Sequence, residues 1–289
     1  MSEAEIYDFF KKDKSDWYRE TKEGIQIWDV DLLRKFWALI KSEKVDKGDF
    51  NFESIVFPSF SNNKMSTRES ILYLELNFYY NILASTAGIQ SISFKKCIFQ
   101  GDAYFLNEMP EITNKSKPKL VFSNKIEFID CEFERDFRLQ GLILSGDLKI
   151  ESCIFSRDLD IISLFLDKAY NIHQTKVKGR YLYLSNINEG NVNISNNKFT
   201  NGFVQEGSQF KDIYSINSIE FNGAGNFSSN KYYRNSNFVS LKFNFSSSFS
   251  NEKYNFTQFQ GIEYSNYRHS FKEIQLIDQK IIKFRSIFQ

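Results

Sequence analysis

The chain is expected to fold as an all-β solenoid, a parallel β-helix with four short faces per coil and α-helical caps at its N- and C-termini. Three observations predict this. The first is a 22-residue register of bulky side chains. Phe133, Phe155, Val177, Phe199, Phe221 and Phe243 form one column, and Phe128, Ile150, Ile172, Ile194, Ile216 and Phe238 a second. A fixed period of this length marks an array in which each repeat is one coil that buries its core only against its neighbours. The second is two more columns in the same register. One is Leu139, Ile161, Tyr183, Gln205 (with Val204 beside it), Phe227 and Phe249. The other is Phe122, Leu144, Leu166, Asn188, Phe210, Tyr232 and Tyr254. Within a coil the columns are 5, 6, 5 and 6 residues apart. The third is an apolar partner two positions before most column residues, as at Ile126, Cys131, Phe137, Leu142, Leu148, Cys153 and Leu159. Two apolar residues around one outward residue are the signature of a short strand with one buried face.

The elements follow in order. Residues 1–48 lack the period and are expected to form a helical cap. Ser2 and Glu5 have capping-box spacing ahead of Ile6, Phe9 and Phe10. A stronger helix is predicted from Val30 to Glu43 behind Asp29 or Asp31, with Leu33, Trp37 and Ile40 on one face. Trp28 and Trp37 are expected to pack this cap onto the first coil.

The β-helix is assigned to 49–260 and starts at 49–58, where Phe52 and Phe57 stand five apart. Residues 67–87 fit two patterns. Ser66 and Glu69 suit a helix cap, with Leu72, Tyr79 and Leu83 inward; the alternation Leu72, Leu74, Leu76, Phe78 suits a strand. Phe94, Phe99 and Phe105 rejoin the columns if about 12 extra residues lie before Phe122. That insertion, 107–119, holds two of the three prolines, Pro110 and Pro118, and reads as a loop pushed out of one corner. In 261–289, Tyr267, Phe271, Ile274, Ile277, Ile281, Phe284 and Phe288 recur at 3 and 4 residues. This predicts an amphipathic helix, as a C-terminal cap or a dimerisation face.

Composition narrows the function classes. Against 37 Lys and Arg stand 36 Asp and Glu, a net charge of +1. A nucleic-acid-binding stripe needs a clustered basic surface, and a surface imitating DNA needs an acidic excess. The acidic cluster Glu127, Asp130, Glu132, Glu134 and Asp136 is interleaved with Arg135 and flanked by Arg138, as in a solvated face. The start, Met1-Ser2-Glu3-Ala4-Glu5, lacks the basic and apolar regions of a signal peptide. No run approaches the roughly 18 apolar residues of a membrane span. A cytoplasmic protein without membrane contact is therefore expected. Cys97, Cys131 and Cys153 fall in one inward column. Coils stack about 4.8 Å apart, so the thiols would form a ladder rather than a metal tetrahedron. They are expected as buried filling, with no metal and no cofactor.

The stretches Ile92-Ser93-Phe94-Lys95-Lys96-Cys97-Ile98-Phe99 and Ile126-Glu127-Phe128-Ile129-Asp130-Cys131-Glu132-Phe133 resemble pentapeptide-repeat proteins. So does the start of the first coil, Phe50 to Phe60. The resemblance spans roughly residues 49 to 260, and every second step here is six rather than five. It implies a right-handed quadrilateral β-helix. Phe99, Phe133 and Phe155 would take the central inward place, and Cys97, Cys131 and Cys153 the place two residues before it.

Candidate chemistry is sparse. Some β-helices cleave acidic polysaccharides with carboxylates that project from adjacent coils. Asp158 and Asp160 flank inward Leu159, with Asp136 one coil earlier, and this outward stack is the acid–base candidate. Of the two histidines, His173 is next to inward Ile172 and should face outward; the other is His269. Asn222-Gly223-Ala224-Gly225 reads as a corner, not a phosphate loop. Tyr181, Tyr233 and Tyr264 are expected outward, as a patch for a partner. No catalytic, cofactor or metal residue is assigned. The expected function is a non-enzymatic scaffold or protein-binding module, compatible with a bacterial regulatory or defence complex. It would contact another protein or a second copy through its faces, the 107–119 loop and the terminal helices. The alternatives are a carbohydrate-active β-helix built on Asp136, Asp158 and Asp160, and a DNA-mimicking topoisomerase inhibitor, which the balanced charge disfavours.

Overall fold

The computed structural model describes residues 1–20, 22–24, 26–59, 79, 82, 91–106, 121–122, 125–265, 267–276 and 283–285. Four short parallel strands make each coil. In one coil they are Ile126–Ile129, Glu132–Phe133, Phe137–Gln140 and Ile143–Leu144, which define the first, second, third and fourth faces. Each pairs with its counterpart one coil on: Phe128 opposite Ile150, Phe133 opposite Phe155, Leu139 opposite Ile161, Leu144 opposite Leu166. The four sequence columns are thus four inward stacks. Among the described residues the third face is a sheet of eight strands, and the other three faces join in one of 23.

The alternation of five and six has a backbone cause. Asp130, Ser152, Gln174, Asn196 and Ser218 have φ between 50° and 56°, and Gly141, Ser163, Ser185 and Gly207 between 53° and 71°. Both sets lie inside the five-residue steps. One left-handed residue reverses the chain there in a single position, whereas the six-residue steps take one residue more. L-residues resist this conformation, which explains the Ser, Asn, Asp and Gly at these corners.

Just inside several of the tight corners a small or polar side chain serves the backbone, while Leu142, Leu164, Ile219 and Leu241 fill the same place at others. Asn186 Oδ1 accepts from the amide of Leu164 at 2.8 Å, Ser208 Oγ from that of Asn186, and Asn230 Oδ1 from that of Ser208. At the opposite corner Asn197 Oδ1 accepts from the Thr175 amide at 2.7 Å. Cys97, Cys131 and Cys153 occupy the same column, buried and unbridged. Their thiols donate to carbonyls of the preceding coil, at Phe52, Phe94 and Phe128. Burial pushes the thiols of Cys97 and Cys153 up, away from the reactive thiolate.

The interior is a stack of rings. Phe57, Phe99, Phe133 and Phe155 lie nearly parallel, with centroids 4.7, 4.5 and 4.5 Å apart. Phe227, Phe249 and Phe271 repeat this at 4.6 and 5.0 Å. Between these stacks the core turns polar. Tyr170 and Tyr181 share a hydroxyl–hydroxyl bond of 3.0 Å, Tyr183 donates to Asn188, and Gln205 links Tyr214 to Tyr232 at 2.8 Å each. The polar residues in the fourth-face and third-face columns, Asn188 and Gln205, are therefore satisfied core residues.

The N-terminal region carries two helices, α1 (Glu3–Phe10) and α2 (Val30–Ile40). Ser2 and Glu5 form the capping box, and Asp29 caps α2. An antiparallel pair, Tyr18–Glu20 with Gln26–Trp28, lies between them. Phe36, on α2, meets Phe10, Trp17 and Phe57 edge-on and seats the cap on the first coil. Residues 107–119, and 67–87 apart from Tyr79 and Ile82, lie outside the described residues; Tyr79 and Ile82 are buried in the core.

Among the described residues of 261–289, strands stand where the amphipathic helix was predicted; residues 266, 277–282 and 286–289, with Ile277, Ile281 and Phe288, lie outside the described residues. Glu263–Tyr264, His269–Lys272, Gln275–Leu276 and Lys283–Arg285 continue the coils. Ser247 to Ser250 pair in register with His269 to Lys272. The helical spacing was a coincidence of coil geometry. Phe271 follows Phe249 by one coil, and Ile274 takes the next inward corner place. A register slip between Tyr232 and Asn235 then shortens the period, setting Phe238 opposite Phe259.

Candidate functional site

The outward carboxylate stack lies where the second face turns into the third. Asp102 Oδ1 accepts from the amide of Asp136 at 3.3 Å, and Asp136 Oδ1 from that of Asp158 at 3.3 Å. Asp158 Oδ1 accepts from the amide of Arg180 at 2.7 Å, and its Oδ2 takes the Arg180 guanidinium at 3.1 and 2.7 Å. Each carboxylate thus ties its turn to the next coil. Asp160 sits on the strand itself and is 4% exposed. Its Oδ2 receives Nε and Nη2 of Arg138 at 2.9 and 2.7 Å, whereas its Oδ1 is buried with no hydrogen-bond partner. Burial pushes the carboxyls of Asp160 and Asp102 up, with Arg138 opposing the shift at Asp160. Arg138 also lies over the ring of Tyr104, 5.4 Å from its centroid.

Asp158 and Asp160 therefore do not act as one outward pair. Asp160 is held by an arginine of the preceding coil and Asp158 by one of the following coil. In the neighbouring acidic cluster, Glu127 is likewise engaged. Burial would raise it, but Lys125 and the Ser93 hydroxyl hold it below the usual range.

His173 faces outward as expected, and its Nδ1 lies 2.9 Å from Ser195 Oγ. Glu151, His173 and Ser195 are successive residues of one first-face column. Acyl-transfer chemistry needs the imidazole between hydroxyl and carboxylate, and free amides for an oxyanion. Here Glu151 pairs with Lys149, and the nearby amides of Ser152 and Gln174 bond the next coil. His269 takes an inward place, between Ser247 Oγ at 2.8 Å and the Ser265 carbonyl at 3.0 Å. Tyr181, expected outward, is fully buried in the third-face column two before Tyr183, and Tyr264, also expected outward, follows Phe243 in the inward second-face column and stacks on its ring; Tyr233 is half-buried. The 22-step register from Phe137 through Leu159 marks Tyr181 as inward, a signal its polar hydroxyl obscured.

Among the described residues no group of three or more His, Cys, Asp or Glu side chains is placed to hold a metal ion. No described helix is long and apolar enough to cross a membrane. No family model matches the chain, and no curated protein or solved structure is significantly similar to it.

Proposed function

We propose that this chain is a non-enzymatic scaffold that binds other proteins through the faces of its β-helix. One observation carries the reading: the candidate catalytic carboxylates each serve as fasteners between coils. Asp136 and Asp158 accept neighbouring amides, and Asp160 is clamped by Arg138. A general acid or base must instead reach the proton it moves. A stack of regular coils, held by its inward columns and fastened outside by these carboxylates, presents an extended surface to a partner. The resemblance to pentapeptide-repeat proteins, a cytoplasmic setting and membership of a bacterial regulatory or defence complex belong to the same proposal.

The raised carboxyl of Asp160 gives the carbohydrate-active reading its one specific support. Incubation of the purified chain with a panel of acidic and neutral polysaccharides separates the two. The scaffold reading predicts no cleavage products from wild type. Product release that Asp160→Asn and Asp158→Asn abolish would overturn it.

A further inference from the structure

The outward residues of the middle coils are not uniform. On the second face they are Ile154, Lys176, Lys198, Glu220 and Lys242, and on the first Lys149, Asn171, Asn193 and Ser215. Where the third face meets the fourth they are aliphatic or aromatic. Leu182 and Val204 form one outward column, Ile162 and Leu184 another, and Ile143, Phe165 and Ile187 a third on the fourth face. All seven are partly exposed. The corner between them is Gly141, Ser163 and Ser185, too small to separate the two faces, so the apolar surface wraps the edge. Contiguous exposed apolar surface of this kind marks interaction sites.

Two exposed acids stand on the rim of this surface. Glu206 follows Leu184 in its column, and Asp160 precedes Leu182 in the neighbouring one. Glu189 lies two residues beyond Ile187. Glu189 and Glu206 are exposed, and neither forms an ion pair with a described residue. Asp160 is buried and clamped by Arg138, so the open acids are Glu189 and Glu206. Stacked coils are about 4.8 Å apart, so Glu189 and Glu206 stand beside the apolar surface about one coil apart.

We infer that this edge docks an extended segment of a partner protein, with aliphatic side chains in its middle and Lys or Arg on its flanks. The inference rests on the scaffold reading and gives it a surface. Aliphatic residues of the segment would cover Leu182, Leu184 and Phe165, and its basic flanks would meet Glu206 and Glu189. An anionic membrane fits less well, because the acids would face like charge.

A display library of random twelve-residue peptides, selected on the full chain, tests this. The expected outcome is enrichment of peptides with central aliphatic and flanking basic residues. Their affinity should fall at least tenfold on Leu184→Ser and, separately, on the surface change Glu206→Lys. It should be unmoved by Lys198→Ser on the second face. No enrichment, acidic enriched peptides, or binding indifferent to both edge variants would overturn it. So would displacement of the peptides by phosphatidylglycerol vesicles. Binding that appears only after residues 107–120 are replaced by a short Gly-Ser linker would assign the edge to the chain's own segment, and also defeats the proposal. Peptides that map to another face would sink this edge and leave the scaffold reading standing.

Discussion

Asn230 donates from Nδ2 to Oε1 of Glu252 at 3.0 Å, and its amide donates to the same oxygen at 3.1 Å, in the buried corner column. Glu252 is 0% exposed, and its other oxygen forms no well-aligned hydrogen bond. The groups around it are Asn230 and the hydroxyls of Tyr232, Tyr254 and Tyr214, with no cation among them. Burial pushes its carboxyl up to about 8.

The consequence for stability has a definite sign. The folded chain holds a proton that the unfolded chain releases at the ordinary value of 4.5. The stabilisation from this proton is complete below about 4.5, is lost as pH rises toward about 8, and is flat above that. Glu252→Gln keeps the oxygen that Asn230 needs and removes the ionisation. It should stabilise the chain by a few kcal/mol at pH 8 and have little effect at pH 4.5. Thermal melts of both forms across this range are the check; parallel pH profiles would refute the assignment.

The ring stacks make a prediction about packing. Phe133 lies between Phe99 and Phe155, 4.5 Å from each. Phe133→Ala should cost about 3–5 kcal/mol through lost burial and a cavity that neighbouring coils cannot close. Phe133→Leu should cost clearly less. Denaturant titrations with unchanged slopes would give both values.

Gly225 is fixed by space rather than by backbone freedom. A Cβ there would stand 2.6 Å from Cε1 of Phe243. Gly225→Ala should therefore destabilise by about 1–3 kcal/mol. Most of that cost should vanish in the Phe243→Leu background, as a double-mutant cycle would show.

Ser163 sits at a tight corner with φ 53°. Ser163→Gly should be neutral or mildly stabilising, and Ser163→Ile should cost at least about 1 kcal/mol, because a β-branched residue resists this conformation. Equal melting temperatures for the two variants would contradict the corner account.

The two arginine clamps should differ. The Arg180–Asp158 pair is open to solvent, with the arginine side chain 60% exposed, and Arg180→Ala should cost at most about 1 kcal/mol. Arg138→Ala leaves Asp160 without its cation at a largely buried position and should cost more, on the order of 2 kcal/mol. Raising the salt concentration should shrink the first effect more than the second.

The coil was legible in the sequence because its inward positions admit few residue types, so Phe128, Phe133 and Leu139 repeat in register. Four things were hidden. Tyr181 and Gln205 are inward but polar, and only their partners Tyr170, Tyr214 and Tyr232 make them core residues. Phe271 and Ile274 are three apart because two inward places flank a tight corner, and that spacing also suits a helix. Asp136, Asp158 and Asp160 look alike in the sequence. Whether a carboxylate is free or fastened depends on Arg138 and Arg180, each 22 residues away from its acid. The apolar edge is dispersed in the sequence, because Ile162, Leu182 and Phe165 belong to different strands and meet only across the Ser163 corner.

Affinity capture from the native host, with mass spectrometry of what the immobilised full chain retains, tests the scaffold claim most directly. The account predicts that one or a few proteins are retained reproducibly, and that Leu184→Ser and Glu206→Lys release them while Lys198→Ser does not. Retention of no protein under any growth condition, together with turnover of a glycan by the same preparation, would contradict it.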